Sequence, residues 1–531
     1  MSKSIIQATG VIMVMNLVVR LLGFLRETFI AKAFGASQFT DAYLIAYTLP
    51  YFLQAILGAA LVAAVVPMLT KYLVEDNKEE AWYVGSSMFN LTFIGLAVAS
   101  AIGMAIAYFL VQILAPGFDE EQVRLATELA RVMFPSAVFM GLGMVATGIL
   151  NASYRFAVGA FAPGFSSIII ICTTLIFATS YGIFGLSVGT LVSFIGFFLI
   201  QVPSLVMCGY RYKPVLGLKH PAVRSALKGL IPIILGVAVF QVYFALNRVF
   251  ASALVEGTIS HLNYANRVML LPIGIFVSSI AATIYPSLSE LALKQDKKHL
   301  EEILRKGLGL VSLISIPATV GLIVLRKPII QILFEHGVFD HAATLATANA
   351  LLFFSIGLLP MAANMILTRA FYSLNDVRTP LKLGAYSVIV DIVLCLAFFK
   401  TIPYGGGGLA LANSLAALFG TWLLYIYLQK CHLPHLRDEG SLKNSLLKMG
   451  VSAVIMGIVV WAVDFAITMF MPGGGGKAAL LIVGFGIISG CLVYGLTVYL
   501  LKIDEVQYIL DIIKRRFKRA QLDKITGEKD G

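Results

Sequence analysis

Residues Asn16 to Pro50 read "NLVVRLLGFLRETFIAKAFGASQFTDAYLIAYTLP". The stretch is the end of one apolar helix, a turn at Gly35 and the start of another. Yet it carries Arg20, Arg26, Glu27 and Asp41. Its spacing returns later. Arg26, Gly35 and Pro50 match Arg248, Gly257 and Pro272, two sets with the same intervals. Two further pairs of blocks keep an offset near 220: "VQILAPGFDEEQVRLATELA" with "IQILFEHGVFDHAATLATANA", and "NASYRFAVGAFAP" with "RAFYSLNDVRTP". The chain is therefore read as a duplication. A shift that spans six helices keeps the same topology in each copy, so the two lobes are related by an axis along the membrane normal.

Composition sets the solvent. Of 531 residues, 59% are hydrophobic and 13% charged, against about 25% charged in soluble domains. Mean hydropathy is +0.88. An all-α integral membrane protein follows. At roughly 20 apolar residues per crossing, about fourteen transmembrane helices are expected. Residues 1–217 form a first six-helix lobe and 218–432 a second. Residues 433–531 add a helix pair and a basic tail that have no counterpart in the repeat. The first helix is expected to remain as an anchor, since no small-residue cleavage site follows it. The five cysteines have no paired or metal-ligand spacing and read as small core residues.

With the N-terminus inside, about 28 of the 40 basic residues fall on the inner side. Nineteen of them lie in "RYKPVLGLKHPAVRSALK", "KQDKKHLEEILRK", "DVRTPLK", "HLPHLRDEGSLK" and the tail "KRRFKR". Both termini are thus expected in the cytoplasm. The net charge of +12 reflects topology and contact with membrane lipids, not nucleic acid.

A charge at mid-helix costs roughly 2.5–3.5 kcal/mol on insertion scales. Arg20, Arg26, Arg248, Arg267 and Arg369 should therefore face a wet cavity or snorkel to an interface. Arg369 is near enough to its helix end to snorkel. Arg20 lies about 22 Å into its helix at 1.5 Å per residue. For Arg20 and Arg26 two readings stand, a structural ion pair with Glu27 or a face toward an anionic ligand. Arg26 and Arg248 are repeat equivalents, and such pairs meet where transporter sites lie. Arg267 has Ile45 as its counterpart, which breaks the symmetry in favour of positive charge. Guanidinium forks suit phosphate oxygens.

Enzyme signals are weak. "GGGGK" at 473–477 lacks the phosphate-loop spacing, and neither HExxH nor Gly-x-Ser-x-Gly occurs. No cofactor or metal is expected. Transport would then run on membrane potential or a coupling monovalent cation. Asp391, with Ser387 one turn before it, and Asp464 are intramembrane acids. Each is either a cation site or a helix–helix hydrogen bond. In the last helix, Gly486 and Gly490 permit close packing or a shallow groove for a lipid tail.

"RLLGFLRETFIAKAFGASQFTDAYLIAYTLP", "GILNASYRFAVGAFAP", "HLNYANRVMLLPIGIF" and "RAFYSLNDVRTP" together resemble the blocks of the MurJ (MviN) lipid II flippases. That family belongs to the multidrug/oligosaccharidyl-lipid/polysaccharide exporter superfamily. The resemblance runs from about residue 5 to 430. It implies two lobes around a cationic cavity, and export of lipid II, the undecaprenyl-diphosphate-linked peptidoglycan precursor, across the bacterial cytoplasmic membrane. It implies that Arg20, Arg26, Arg267, Glu27 and Asp41 match the family's functional positions, and it implies a tail groove at the final helix pair. From their place near the outer ends of helices one and two, Glu27 and Asp41 are expected to orient the arginines rather than bind substrate. The cell-wall synthesis machinery is an implied partner, and the chain is expected to be monomeric. The sequence departs from the family at Asn247, where an acid is common, and in lacking an arginine pair after Pro50. Two alternatives share the architecture: a flippase for another polyprenyl-linked oligosaccharide, and a drug–cation antiporter. The surplus of arginines disfavours the second.

Overall fold

A backbone inside hydrocarbon finds no water, and helices satisfy its N–H and C=O groups within one segment. The computed structural model meets that demand with helices alone among the described residues, which are 2–398, 401, 406–434 and 441–507. The basic tail at 514–519, Lys400 and the middle of the 432–443 loop lie outside them.

The chain divides into two compact units, Met1–Tyr264 with Phe334–Ala346, and Ala265–Leu333 with Thr347–Gly531. The first contains α1 (Ser2–Phe34), α2 (Gln38–Val74), α3 (Lys78–Ala105), α4 (Ala107–Leu114) and α5 (Glu120–Met133). It continues through α6 (Ser136–Ala152), α7 (Phe156–Leu199), α8 (Val202–Met207), α9 (Pro221–Ser252) and the start of α10 (Thr258–Pro272). α1 packs along α7, and α2 packs against α5, α6 and α9. Leu61, Val65, Leu69, Trp82, Met88 and Ile149 form a core between α2, α3 and α6.

The second unit takes the end of α10, then α11 (Ser278–Leu293), α12 (Lys297–Val324) and most of α13 (Arg326–Phe334). The rest are α14 (His341–Ile356), whose first turns belong to the other unit, α15 (Leu358–Ser373), α16 (Arg378–Phe398), α17 (Gly407–Cys431), α18 (Ser441–Phe470) and α19 (Gly475–Leu500). A π-turn at Ile273–Val277 joins α10 to α11 just after Pro272. Proline cannot donate to the ladder and its ring crowds the preceding turn, so the helix widens there. α18 packs on α12 and α19, with Met449, Met456, Val460, Ile482 and Tyr494 buried among them.

Ten helices among the described residues are long and apolar enough to cross a membrane, or eleven if the bent pair α14–α15 is one span. The sequence reading expects about fourteen. Part of the difference is physical. α7 is two helices joined across a kink at Gly182, which sits at φ 55° and ψ −140°. Glycine alone adopts that conformation cheaply, so one long element holds two sequence segments.

Candidate functional site

The turn between α1 and α2 is set by local chemistry. Gly35 takes φ 65°, Ser37 caps α2, and the Thr40 hydroxyl donates to the Gly35 carbonyl at 2.9 Å. This places Asp41 in the first turn of α2, 3% exposed. The sequence reading has it orient arginines, but its carboxylate faces the start of α10. It accepts from the Gly257 amide at 2.8 Å, the Ser260 amide at 2.8 Å and the Ser260 hydroxyl at 2.6 Å. The first turn of a helix has amides with no partner inside the helix and carries positive partial charge. A carboxylate satisfies both. Arg248 is within electrostatic reach of Asp41, and its Nη1 donates to the Ile259 carbonyl at 3.5 Å.

Glu27 is buried and pairs with its neighbour, since Arg26 Nη2 donates to Glu27 Oε1 at 2.7 Å. Adjacent helix positions point to different faces, but the long arginine stem folds back. The other oxygen, Oε2, accepts from Asn263 Nδ2 at 3.3 Å. Asn263 is the repeat counterpart of Asp41, at the same offset that links Gly35 to Gly257. Arg20, seven residues or about two turns before Glu27, is exposed on α1. The Arg26 guanidinium also lies within electrostatic reach of Tyr43 and Tyr47. Tyr43, Tyr47 and Tyr51 stack one turn apart, with centroids 6.1 and 5.8 Å apart, and Tyr43 bonds to Thr190 at 2.9 Å. Sequence reasoning missed this ladder, although its i, i+4 spacing is plain in "YLIAYTLPY".

Two loops complete the arrangement, and they are repeat equivalents. The Gly117 amide donates to Ser252 Oγ at 3.3 Å, at the last turn of α9. The Val338 amide donates to the Lys32 carbonyl at 3.1 Å, at the last turn of α1. A Cβ on Gly117 would stand 2.3 Å from the Ser252 carbonyl, and one on Gly337 2.3 Å from that of Lys32. Neither backbone leaves room for a side chain. Each loop thus lies on the end of a long helix, the first on α9 and the second on α1. Phe334 and Phe339, flanking the second loop, pack on the fully buried Tyr264 ring.

The remaining candidates lie in the second unit. Arg267 is exposed on α10. The Arg369 guanidinium sits 5.5 Å from the centre of the Tyr285 ring. Asp391 is 2% exposed on α16. Ser387, one turn before it, donates to the Leu383 carbonyl at 3.1 Å and abuts Gly420 of α17. Among the described residues no cluster of three His, Cys, Asp or Glu side chains is suited to a metal. Gly486 and Gly490 are buried. A Cβ on Gly486 would meet Leu325 at 3.2 Å, and one on Gly490 would meet Val460 at 3.1 Å. The surface a tail would need at these two positions is occupied by packing against α18 and Leu325.

Known proteins resemble this chain over most of its length. The family described as "Lipid II flippase MurJ" matches residues 30–474. The lipid II flippase MurJ of Burkholderia cenocepacia is 29% identical over 85% of this chain and 89% of its own. A probable lipid II flippase MurJ of Buchnera aphidicola is 31% identical over 83% and 86%. Among solved structures, a lipid II flippase MurJ in an inward closed conformation superposes with TM-score 0.78 at 27% identity, over 93% of this chain and 99% of that one. An inward-facing multidrug MATE transporter of the MOP superfamily shares the fold, with TM-score 0.66 at 18% identity over 80% and 99%.

Proposed function

The chain belongs to the MurJ family of lipid II flippases, and from that premise we propose how its residues divide the work of carrying lipid II across the bacterial inner membrane. Arg26 binds the diphosphate. The observation that carries this is the fixed guanidinium: Glu27 holds it at 2.7 Å and is itself held by Asn263 at 3.3 Å. A guanidinium has five N–H donors, so one bond to Glu27 leaves a fork for phosphate oxygens. Arg20 and Arg248 supply further positive charge for the same anion, and Arg267 is likewise assigned to substrate binding.

Asp41 and the two crossed loops serve the transport cycle by closing the membrane side on which α1 ends. The basic loops support an orientation with both termini in the cytoplasm, which makes that side the outer one. Opening to the outside then requires Asp41 to leave the α10 terminus and both loops to lift. An inside-negative potential favours outward movement of an anion by about 2.3 kcal/mol per charge per 100 mV. If transport also uses a monovalent cation, Asp391 with Ser387 is the acid assigned to it, because its carboxylate is 2% exposed on an apolar helix and the Ser387 hydroxyl lies one turn before it. The chain acts as a monomer and hands lipid II to the cell-wall synthesis machinery.

The test is replacement of Arg26 in a bacterium depleted of its own flippase, with lipid II counted in each leaflet. Arg26→Ala should insert normally and leave lipid II in the inner leaflet. Arg26→Lys should restore only part of the transport, because it keeps the charge and loses the fork. Wild-type transport with Arg26 and Arg267 both replaced by Ala would overturn the assignment.

A further inference from the structure

Between α12, α15, α17 and α18 the second unit encloses a cavity of about 1130 Å³. Neither Arg26 nor any other arginine assigned to the diphosphate lines it. Its walls are apolar, with Leu308, Ile316, Leu359, Leu415, Phe419 and Leu446 among them. Its charged residue, Lys443, lies at one end, while Ser312, Thr319 and Thr421 are spread along the walls. Tyr425 and Gln429 lie on the last turns of α17, and Lys443 lies on the first turn of α18. That end carries the basic inner loops. From Leu415 to Gln429 the cavity follows α17 for about 21 Å at 1.5 Å per residue. Half the hydrocarbon core is about 15 Å, so the cavity has the depth of one leaflet to within about a turn or so. Trp422 on its wall is 55% exposed, so the wall is open toward the surrounding lipid.

We propose that this cavity holds one acidic phospholipid of the inner leaflet as a resident, with its phosphate on Lys443 and its acyl chains along α17. Three features select that occupant. Apolar walls one leaflet deep match acyl chains. A single cation at the inner rim matches one phosphate, and Lys443 is exposed and able to reach it. Gln429 offers hydrogen bonds at the depth where a glycerol backbone meets the chains. The lipid would fill the space that α17 and α18 both border, and so support the added α18–α19 pair where no protein side chain does.

The inference concerns binding alone and stands whether or not the diphosphate assignment does. The test uses the purified full-length protein in mixed micelles. It is offered phosphatidylglycerol or phosphatidylcholine with identical chains, and retained lipid is counted by native mass spectrometry. One phosphatidylglycerol should be retained in preference to phosphatidylcholine. Lys443→Gln should lower its retention roughly fivefold and Lys443→Glu roughly thirtyfold, as loss and reversal of one charge at an anionic interface imply. Ala363→Trp, which projects into the wall, should lower retention of both lipids. Should that variant fold poorly, the exposed Lys443 pair decides the matter. Equal retention of the two lipids, or retention indifferent to Lys443, would overturn the proposal. So would displacement of the phospholipid by a polyprenyl phosphate, which would give the cavity to the substrate's tail.

Discussion

Replacing Asp41 by Ala removes one carboxylate that accepts three hydrogen bonds, from the Gly257 amide and from the amide and hydroxyl of Ser260. Bonds to a charged acceptor contribute about 1.5–3 kcal/mol each in isolation, but these three share one acceptor and do not add. Loss of a helix cap costs up to about 2 kcal/mol, and loss of a partly buried charge at a helix start about as much again. A combined effect of about 2–4 kcal/mol follows, which raises the population of the open terminus about 30- to 1000-fold. Hydrogen exchange followed by mass spectrometry reads this directly at the peptide bearing Gly257 and Ser260. Protection there should fall by that factor, while the α2–α3–α6 core keeps its own. Asp41→Asn keeps one acceptor and loses the charge, so its effect should be smaller, about 5- to 30-fold. Unchanged exchange in Asp41→Ala would refute the capping argument. So would acceleration of the whole unit by the same factor.

Gly337→Ala places a Cβ 2.3 Å from the Lys32 carbonyl at a residue with φ 65°, a conformation costing L-residues about 1–2 kcal/mol before any clash. In a background without native cysteines, Ser252→Cys, buried beneath Gly117, should react faster with a membrane-impermeant thiol reagent when Gly117 or Gly337 is Ala, and fastest when both are; unchanged labelling would count against crossed loops as a closure. Gly490→Leu should lower the thermal midpoint as overpacking of about 1–3 kcal/mol does, because Val460 stands 3.1 Å from its Cβ, whereas Gly495→Leu, with nothing within 4 Å, should leave the midpoint unchanged. At the turn between α15 and α16, burial pushes the Asp376 carboxyl up, but hydrogen bonds from Thr379 and from His432 outweigh it and hold the group below its ordinary 3.8. A lowered pKa stabilises the fold above the unfolded value and loses that contribution as pH falls through the folded one. Asp376→Asn should therefore flatten the acid limb of the thermal midpoint below about pH 4 and change little near neutrality.

The parts of this architecture legible in the sequence are those written as intervals. Arg26 to Pro50 and Arg248 to Pro272 announce the repeat, and Asp119 and Asp340 cap α5 and α14 at matching places. The cost of charge in hydrocarbon marks Arg26 and Glu27 as residues that need partners. Which partners they find is not written locally. Asp41 meets Gly257 across 216 positions, and only the packed chain brings that helix start to the carboxylate. Glycines were ambiguous for a different reason. Gly486 and Gly495 are alike in sequence, yet one meets Leu325 and the other meets nothing. Gly182 gave no warning of its break, since an apolar run reads the same on either side of a kink. The tyrosine ladder is written at i, i+4 spacing but does not stand out, because aromatic residues in an apolar helix look like ordinary core.

The crossed loops also bear on tolerance to insertion. Straps of this kind must span a fixed gap, since Gly117 and Gly337 touch backbone directly. The connections 115–119 and 335–340 should therefore resist lengthening, while the basic loops at the opposite ends of the helices absorb it freely. Insertions or fused tags sort the two faces of the molecule by that difference alone.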